Sequence, residues 1–163
     1  MAGKSGRPRQ PVPTAKAASG SEEKLGDLPN YVGYMLRRAQ LTVFQDFIQS
    51  LADFDLRPAQ FSVLSVIEAS PGLRQTEVAN LLGIQRTNFV TLFDSLEGRG
   101  LAERKPSKED RRSHSLYLTD AGRAYLRDVK ASVDAHETRI AQQVGQDDYI
   151  TLKRILGKLL VIC

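Results

Sequence analysis

Residues 96–122 read LEGRGLAERKPSKEDRRSHSLYLTDAG, and this run admits few folds. Gly100 ends a helix. Two short strands follow, Leu101–Lys105 and Ser115–Leu118, around a charged turn holding Asp110, Arg111 and Arg112. Thr119 then opens another helix as its N-cap. The run is a β-hairpin with a basic tip. Just upstream, the spacing predicts helices over Gln75–Leu82 and Gln85–Glu97, joined at Gly83. A hairpin placed directly after a helix-turn-helix is a winged helix. That arrangement sets one element in the major groove of DNA and another in the minor groove. The fold expected is mainly helical with a small β-hairpin wing.

Length and composition agree with one soluble domain. The chain has 163 residues, 41% of them hydrophobic, enough for a real core. No apolar run reaches the roughly 18 residues that span a bilayer, and the N-terminus has no signal-peptide core. One cysteine, Cys163, excludes an intramolecular disulfide framework. The expectation is a cytoplasmic protein with no membrane association. The net charge of +4 is carried by Lys4, Arg7, Arg9 and Lys16, which leaves nineteen basic against nineteen acidic residues in the remainder. Any DNA affinity of the folded part therefore needs local patches. The wing supplies one: Arg104, Lys105, Lys108, Arg111 and Arg112 against Glu109 and Asp110. Without the neighbouring motif, the same charges read as an ordinary solvated hairpin.

Along the chain, residues 1–24 form a basic tail rich in Pro, Ala, Gly and Ser, too poor in apolar residues to pack. It either touches DNA loosely or does nothing. Residues 25–55 hold a long helix from Pro29 to Leu51, with Leu41, Phe44, Ile48 and Leu51 on one face. Residues 56–120 form the DNA-binding lobe, starting with a helix from Pro58 to Ala69 that Pro71-Gly72 ends. Residues 121–163 hold a helix from Asp120 to Val144, a break at Gly145, and a last helix from Asp147. That helix carries Leu152, Ile155, Leu156, Leu159, Leu160 and Ile162, a stripe wide enough to need a partner.

The helix-turn-helix reading rests on Ala79, small where two helices cross, and on Gly83 in the turn. Val78, Leu82, Ile84, Phe89 and Leu92 pack the pair. The outward polar residues of the second helix are Gln85, Arg86, Thr87, Asn88 and Thr91. Gln and Asn pair with adenine, Arg with guanine, and Thr with phosphate or a thymine methyl. The bland alternative is that Gln85 or Thr87 only caps the helix. Asp94 and Glu97 would repel phosphate and are excluded from contact. In the wing, Asp110 aims an arginine into the narrow minor groove. Arg112 takes that role and Arg111 a phosphate, or the two exchange.

The segments LEGRGL (96–101), DRRS (110–113) and LTDAG (118–122) resemble the MarR family of bacterial transcription regulators. The resemblance runs from about Pro29 to Cys163. It implies a homodimer built from the first and last helices, one winged helix per subunit, a palindromic operator, and relief of repression by a small molecule, often an aromatic acid. Many members carry arginine or lysine where this chain has Thr91. Many carry threonine or serine where it has Arg57 and Arg74, so those helix caps should be weaker here. In this family the ligand sits where the dimer helices meet the DNA-binding lobe, which points to Tyr34, Arg38, Phe61 and Leu64. Aromatic rings would flank a flat ligand and Arg38 would hold an anion. Alternatively, Phe61 is plain core and Arg38 a surface charge. The segments NYVGYMLRR (30–38) and IQRTNFV (84–90) look like members governing hydroxycinnamate or other aromatic-acid catabolism. Some of these answer to the acyl-coenzyme A thioester, whose phosphates the Arg37-Arg38 pair suits.

Other functions find less support. There is no phosphate-binding glycine loop, no nucleophile–base pair and no zinc spacing around His114 or His136, so neither enzyme, cofactor nor metal is expected. His114 falls on the wing strand, near phosphate or solvent. His136, beside Glu137 in a helix, reads as exposed. Redox sensing through Cys163 lacks an adjacent cation to lower the thiol pKa. A ligand-independent architectural DNA binder, or a winged helix used for protein contacts, would leave the operator and effector expectations unmet.

Overall fold

The computed structural model describes residues 23–106 and 114–161. The wing tip, with Asp110, Arg111 and Arg112, lies outside the described residues, as does Cys163. Chain contacts divide the protein into residues 1–42 and residues 43–163.

In the first unit, short 3-10 turns at Glu23–Leu25 and Leu28–Asn30 precede helix α1 (Val32–Leu51). The helix does not start at Pro29 as expected. The amide of Asn30 is drawn back to the Asp27 carbonyl (2.9 Å) and that of Tyr31 to Leu28 (3.1 Å), and Tyr31 is extended at ψ 125°. That local turn delays the helix to Val32. The end of α1 belongs to the second unit.

The second unit continues with α2 (Pro58–Ala69), α3 (Gln75–Leu81), α4 (Arg86–Gly98), β1 (Ala102–Pro106), β2 (His114–Leu118), α5 (Asp120–Val144) and α6 (Gln146–Leu159). α2 is central and buries Val63, Leu64 and Ile67; α4 buries Phe89, Phe93 and Leu96 at helical spacing. Leu116 of β2 and Leu126 and Val129 of α5 close the core. Among the described residues, no helix is long and apolar enough to cross a membrane.

The wing strands pair antiparallel from Ala102↔Leu118 to Pro106↔His114. A third edge was not legible in the sequence. The Gly72 amide donates to the Leu116 carbonyl and the Leu116 amide to Leu73, both at 2.9 Å, and Arg74 bridges Ser115. The Pro71-Gly72 break therefore also delivers an edge to β2. Gly72 turns there at φ +95°, where a Cβ would lie 3.1 Å from the Tyr117 hydroxyl.

The arginine-started helices are capped from within. Arginine has no acceptor to cap with. Instead Gln60 Oε1 accepts the Arg57 amide (2.9 Å) and Glu77 Oε2 the Arg74 amide (2.7 Å). Each helix therefore keeps half of a capping box. Thr119 caps α5 as expected, accepting the Gly122 amide at 2.9 Å.

His136 overturns its expected exposure. It is 2% exposed, its ring 5.5 Å from that of Phe47, and its Nδ1 lies 2.6 Å from Asp46 Oδ2. A carboxylate only accepts, so Nδ1 carries the proton. Arg139 Nη2 donates to the same oxygen (2.8 Å). The sequence shows Glu137 beside His136, but not the Asp46 that arrives on α1. Burial alone would raise the Asp46 pKa; the hydrogen bonds from His136 and Arg139, with their charges, outweigh it and hold the carboxyl below its ordinary 3.8. Its stabilisation is therefore complete above the unfolded value and lost as pH falls through the folded one. Asp46→Ala should cost about 1 kcal/mol near neutral pH, a low figure because the carboxylate is half exposed. Urea titrations should show the difference from wild type shrinking at pH 3. An undiminished difference at pH 3 would remove the charge from the explanation.

Candidate nucleic-acid interface

α3, Gly83 and α4 form the helix-turn-helix. Gly83 sits at φ +63°, and the Ile84 amide reaches back to the Ala79 carbonyl at 2.9 Å. Val78, Ala79 and Phe89 are buried between the helices, and Leu82, Ile84 and Leu92 pack at the edge of the same core. Burying those residues fixes the rotation of α4. The opposite face, with Gln85, Arg86, Thr87, Asn88 and Thr91, is exposed. Gln85 occupies the N-cap, yet its side chain makes no capping bond. All five predicted base-reading residues thus share the first two turns of one solvent-facing surface. The open amides of that helix start add partial positive charge suited to phosphate.

Behind Asn88 and Thr91 a cleft of about 480 Å³ opens between α4 and the start of α2, lined also by Arg57, Gln60, Ser95 and Arg99. Gln60 is buried and ties the two helices. Its Oε1 accepts from the Arg57 amide, and its Nε2 donates to Ser95 Oγ at 3.2 Å. Arg99 is occupied within the fold. It donates to the carbonyls of Asp55 (2.8 Å) and Phe54 (3.1 Å) and to the Tyr125 hydroxyl (3.1 Å), and lies over the Tyr125 ring. These bonds tie the end of α4 to the turn before α2 and to α5.

The basic wing patch needs correction at two positions. Arg104 faces inward, bonded to Asp94 (2.6 Å) and Glu97 and lying 4.5 Å over the Phe93 ring. Lys105 pairs with Glu103 at 2.8 Å and lies over Tyr117. Neither cation is the unopposed phosphate contact that a charge count along the hairpin suggests, because both acids and rings come from outside the counted run. His114 is exposed, as expected for the wing strand.

The effector residues fall in both units. Tyr34 is half-buried, and Arg37 and Arg38 are exposed on α1. Phe61 on α2 is half-buried and meets Phe47 edge to face at 5.8 Å. Leu64 is fully buried core and offers a ligand no surface. The apolar stripe of α6 is exposed, with Leu152, Ile155, Leu156 and Leu159 each more than a third open and Leu160 83%. Among the described residues, no three His, Cys, Asp or Glu side chains gather as a metal site requires.

Comparison with known proteins extends this reading. The MarR family model matches residues 54–113, which span the winged helix from the turn before α2 to the wing tip. The chain is similar to the transcriptional repressor CouR solved with a 23-mer DNA duplex: 49% identity, 83% of this chain and 96% of that one, TM-score 0.80. It is also similar to CouR solved with p-coumaroyl-CoA, at 46% identity, the same coverage and a TM-score of 0.75. A relative from Mycobacterium tuberculosis, the HTH-type transcriptional repressor Rv2887, is 28% identical over 78% of this chain and 92% of its own length. On the strength of the winged helix and of these likenesses across nearly the full length of the relatives, the chain belongs to the MarR family of transcriptional regulators.

Proposed function

We propose that the protein is a homodimeric repressor that binds a palindromic operator and leaves it when the coenzyme A thioester of a hydroxycinnamate-like aromatic acid binds. The observation that carries this reading is the close similarity to a repressor solved both with DNA and with p-coumaroyl-CoA. Residues 25–55 and 121–163 supply the dimer and residues 56–120 the DNA contacts. Gln85, Arg86, Thr87, Asn88 and Thr91 read the major groove. Asp110 aims Arg112 into the minor groove while Arg111 holds phosphate. Tyr34, Arg37 and Arg38 in the first unit and Phe61 in the second are the effector residues: the rings suit an aromatic acid, Arg38 an anionic group, and Arg37 with Arg38 the coenzyme A phosphates. Release requires only that the ligand prefer the dimer whose recognition helices miss the half-site spacing. Each tenfold preference contributes about 1.4 kcal/mol.

The test is the mobility of a duplex from beside the protein's own gene, at fixed salt, with aromatic acids and their coenzyme A thioesters. A specific shift abolished by one thioester and not by its free acid is expected. A salt-sensitive smear that no compound changes would instead indicate an architectural binder. Asn88→Ala should reduce operator affinity by roughly tenfold while sparing scrambled DNA. An equal loss on both duplexes would make Asn88 a phosphate contact.

A further inference from the structure

Arg104 belongs to the wing in sequence and to the recognition helix in space. Its side chain is 17% exposed and bridges two acids of α4, donating to Asp94 Oδ1 at 2.6 Å and to Glu97 Oε2. Its own backbone amide donates to Glu97 Oε1 at 3.0 Å. Its guanidinium carbon lies over the Phe93 ring, 4.5 Å from the centroid, and Phe93 is fully buried. One residue of β1 thus grips three residues of the last turns of α4 by charge, hydrogen bond and cation–π contact.

We infer that Arg104 is a positioning residue that locks the wing to the recognition helix, so that the two DNA-reading elements present a fixed spacing. The inference rests on the DNA-binding reading above. α4 runs 13 residues, with its base-reading turns at one end and the Arg104 grip at the other. At about 1.5 Å of rise per residue, Asn88 stands roughly 10 Å along the axis from Asp94 and Glu97, so a few degrees of play at the grip becomes ångström-scale error between helix and wing. Base hydrogen bonds tolerate only a few tenths of an ångström. Arg104 also pairs with Asp94 and Glu97, the two acids of α4, and so offsets their charge. Lysine is a poor replacement, because a point charge cannot bridge two carboxylates and stack on a ring together.

Two substitutions of opposite charge effect test the inference in the full-length protein. Arg104→Met keeps the packing on Phe93 and removes a cation; Glu97→Gln removes an anion. Simple attraction to DNA predicts that the first weakens binding and the second strengthens it. Positioning predicts that both weaken operator binding, by roughly tenfold or more. It also predicts little change on a scrambled duplex and an unchanged slope of affinity against salt. A salt slope lowered by about 0.9 in Arg104→Met would make Arg104 a phosphate contact and overturn the inference. So would unchanged or tighter operator binding by Glu97→Gln. Amide hydrogen exchange gives a readout independent of DNA. Exchange in 102–105 and 114–118 should quicken in both variants, while Leu126 and Val129 of α5 stay protected. Unchanged wing exchange in both overturns the lock. If Arg104→Met exposes the α5 amides as well, Glu97→Gln alone decides, on the same criteria. A wild type that does not prefer operator to scrambled DNA would defeat the DNA-binding reading, and wing exchange would then decide the grip.

Discussion

Gly122→Ala is expected to destabilise the fold by about 3 kcal/mol or more. A Cβ on Gly122 would lie 1.8 Å from the Leu101 carbonyl oxygen and 2.7 Å from its carbon. Both are backbone atoms, so no side chain can swing aside. Leu101 is itself held. Its amide donates to Leu96 (3.0 Å), and its oxygen accepts the Thr119 amide (3.2 Å). The other side is equally fixed, because the Thr119 hydroxyl accepts from the Gly122 amide and donates to the Gly100 carbonyl at 2.6 Å. Relief would require separating the start of α5 from the start of the wing, which breaks that network. Gly98→Ala is the control. A Cβ there meets nothing within 4 Å, and alanine should be neutral or stabilising by up to about 1 kcal/mol. Urea denaturation of both variants checks the contrast, and a Gly122→Ala midpoint equal to wild type would refute it.

That contact explains why LTDAG is informative as a sequence. Thr119 and Gly122 are three residues apart, so cap and close approach fall in one helical turn and leave a local signature. The same holds for Gly83, whose positive φ and flanking apolar residues announce the helix-turn-helix. What could not be read is what depends on residues far apart in the chain. The edge at Leu73 and Arg74 is too short to show a period of two, and it exists only because β2 lies beside it. His136 reads as exposed when judged by Glu137. Asp46 and Phe47, ninety residues earlier, turn it into a buried hydrogen-bonded group. Arg104 reads as a DNA contact when charges are summed along the hairpin, since Asp94 and Glu97 lie on another element. Leu64 reads as a ligand contact beside Phe61 because residues three apart share a helix face, but the two differ in depth. The helix turns Leu64 into the core and leaves Phe61 half-buried against Phe47. The exposed face of α4 was legible because burying Val78, Ala79 and Phe89 leaves one orientation for Gln85 to Thr91.

The second large effect is expected at α6. Ile155→Asp combined with Leu159→Asp should convert the protein to a monomer and lower operator affinity by more than roughly a hundredfold. The two residues are 44% and 36% exposed and four apart, so they share one stripe with Leu152 and Leu156. Because they are open to solvent in the single chain, carboxylates there should leave the core intact. Far-ultraviolet circular dichroism should stay as in wild type. In a dimer each of these side chains contributes about 1.5–3 kcal/mol of burial, and a desolvated carboxylate in its place costs several more. Operator affinity follows, because a dimer's second half-site is bound at high effective concentration, which a monomer forfeits. The salt slope should also roughly halve, since one winged helix neutralises half the phosphates. Sedimentation velocity and operator titration across salt measure both. A variant that remains dimeric would assign this stripe to another purpose. A monomer that keeps wild-type operator affinity would break the link between two-fold symmetry and the palindromic site.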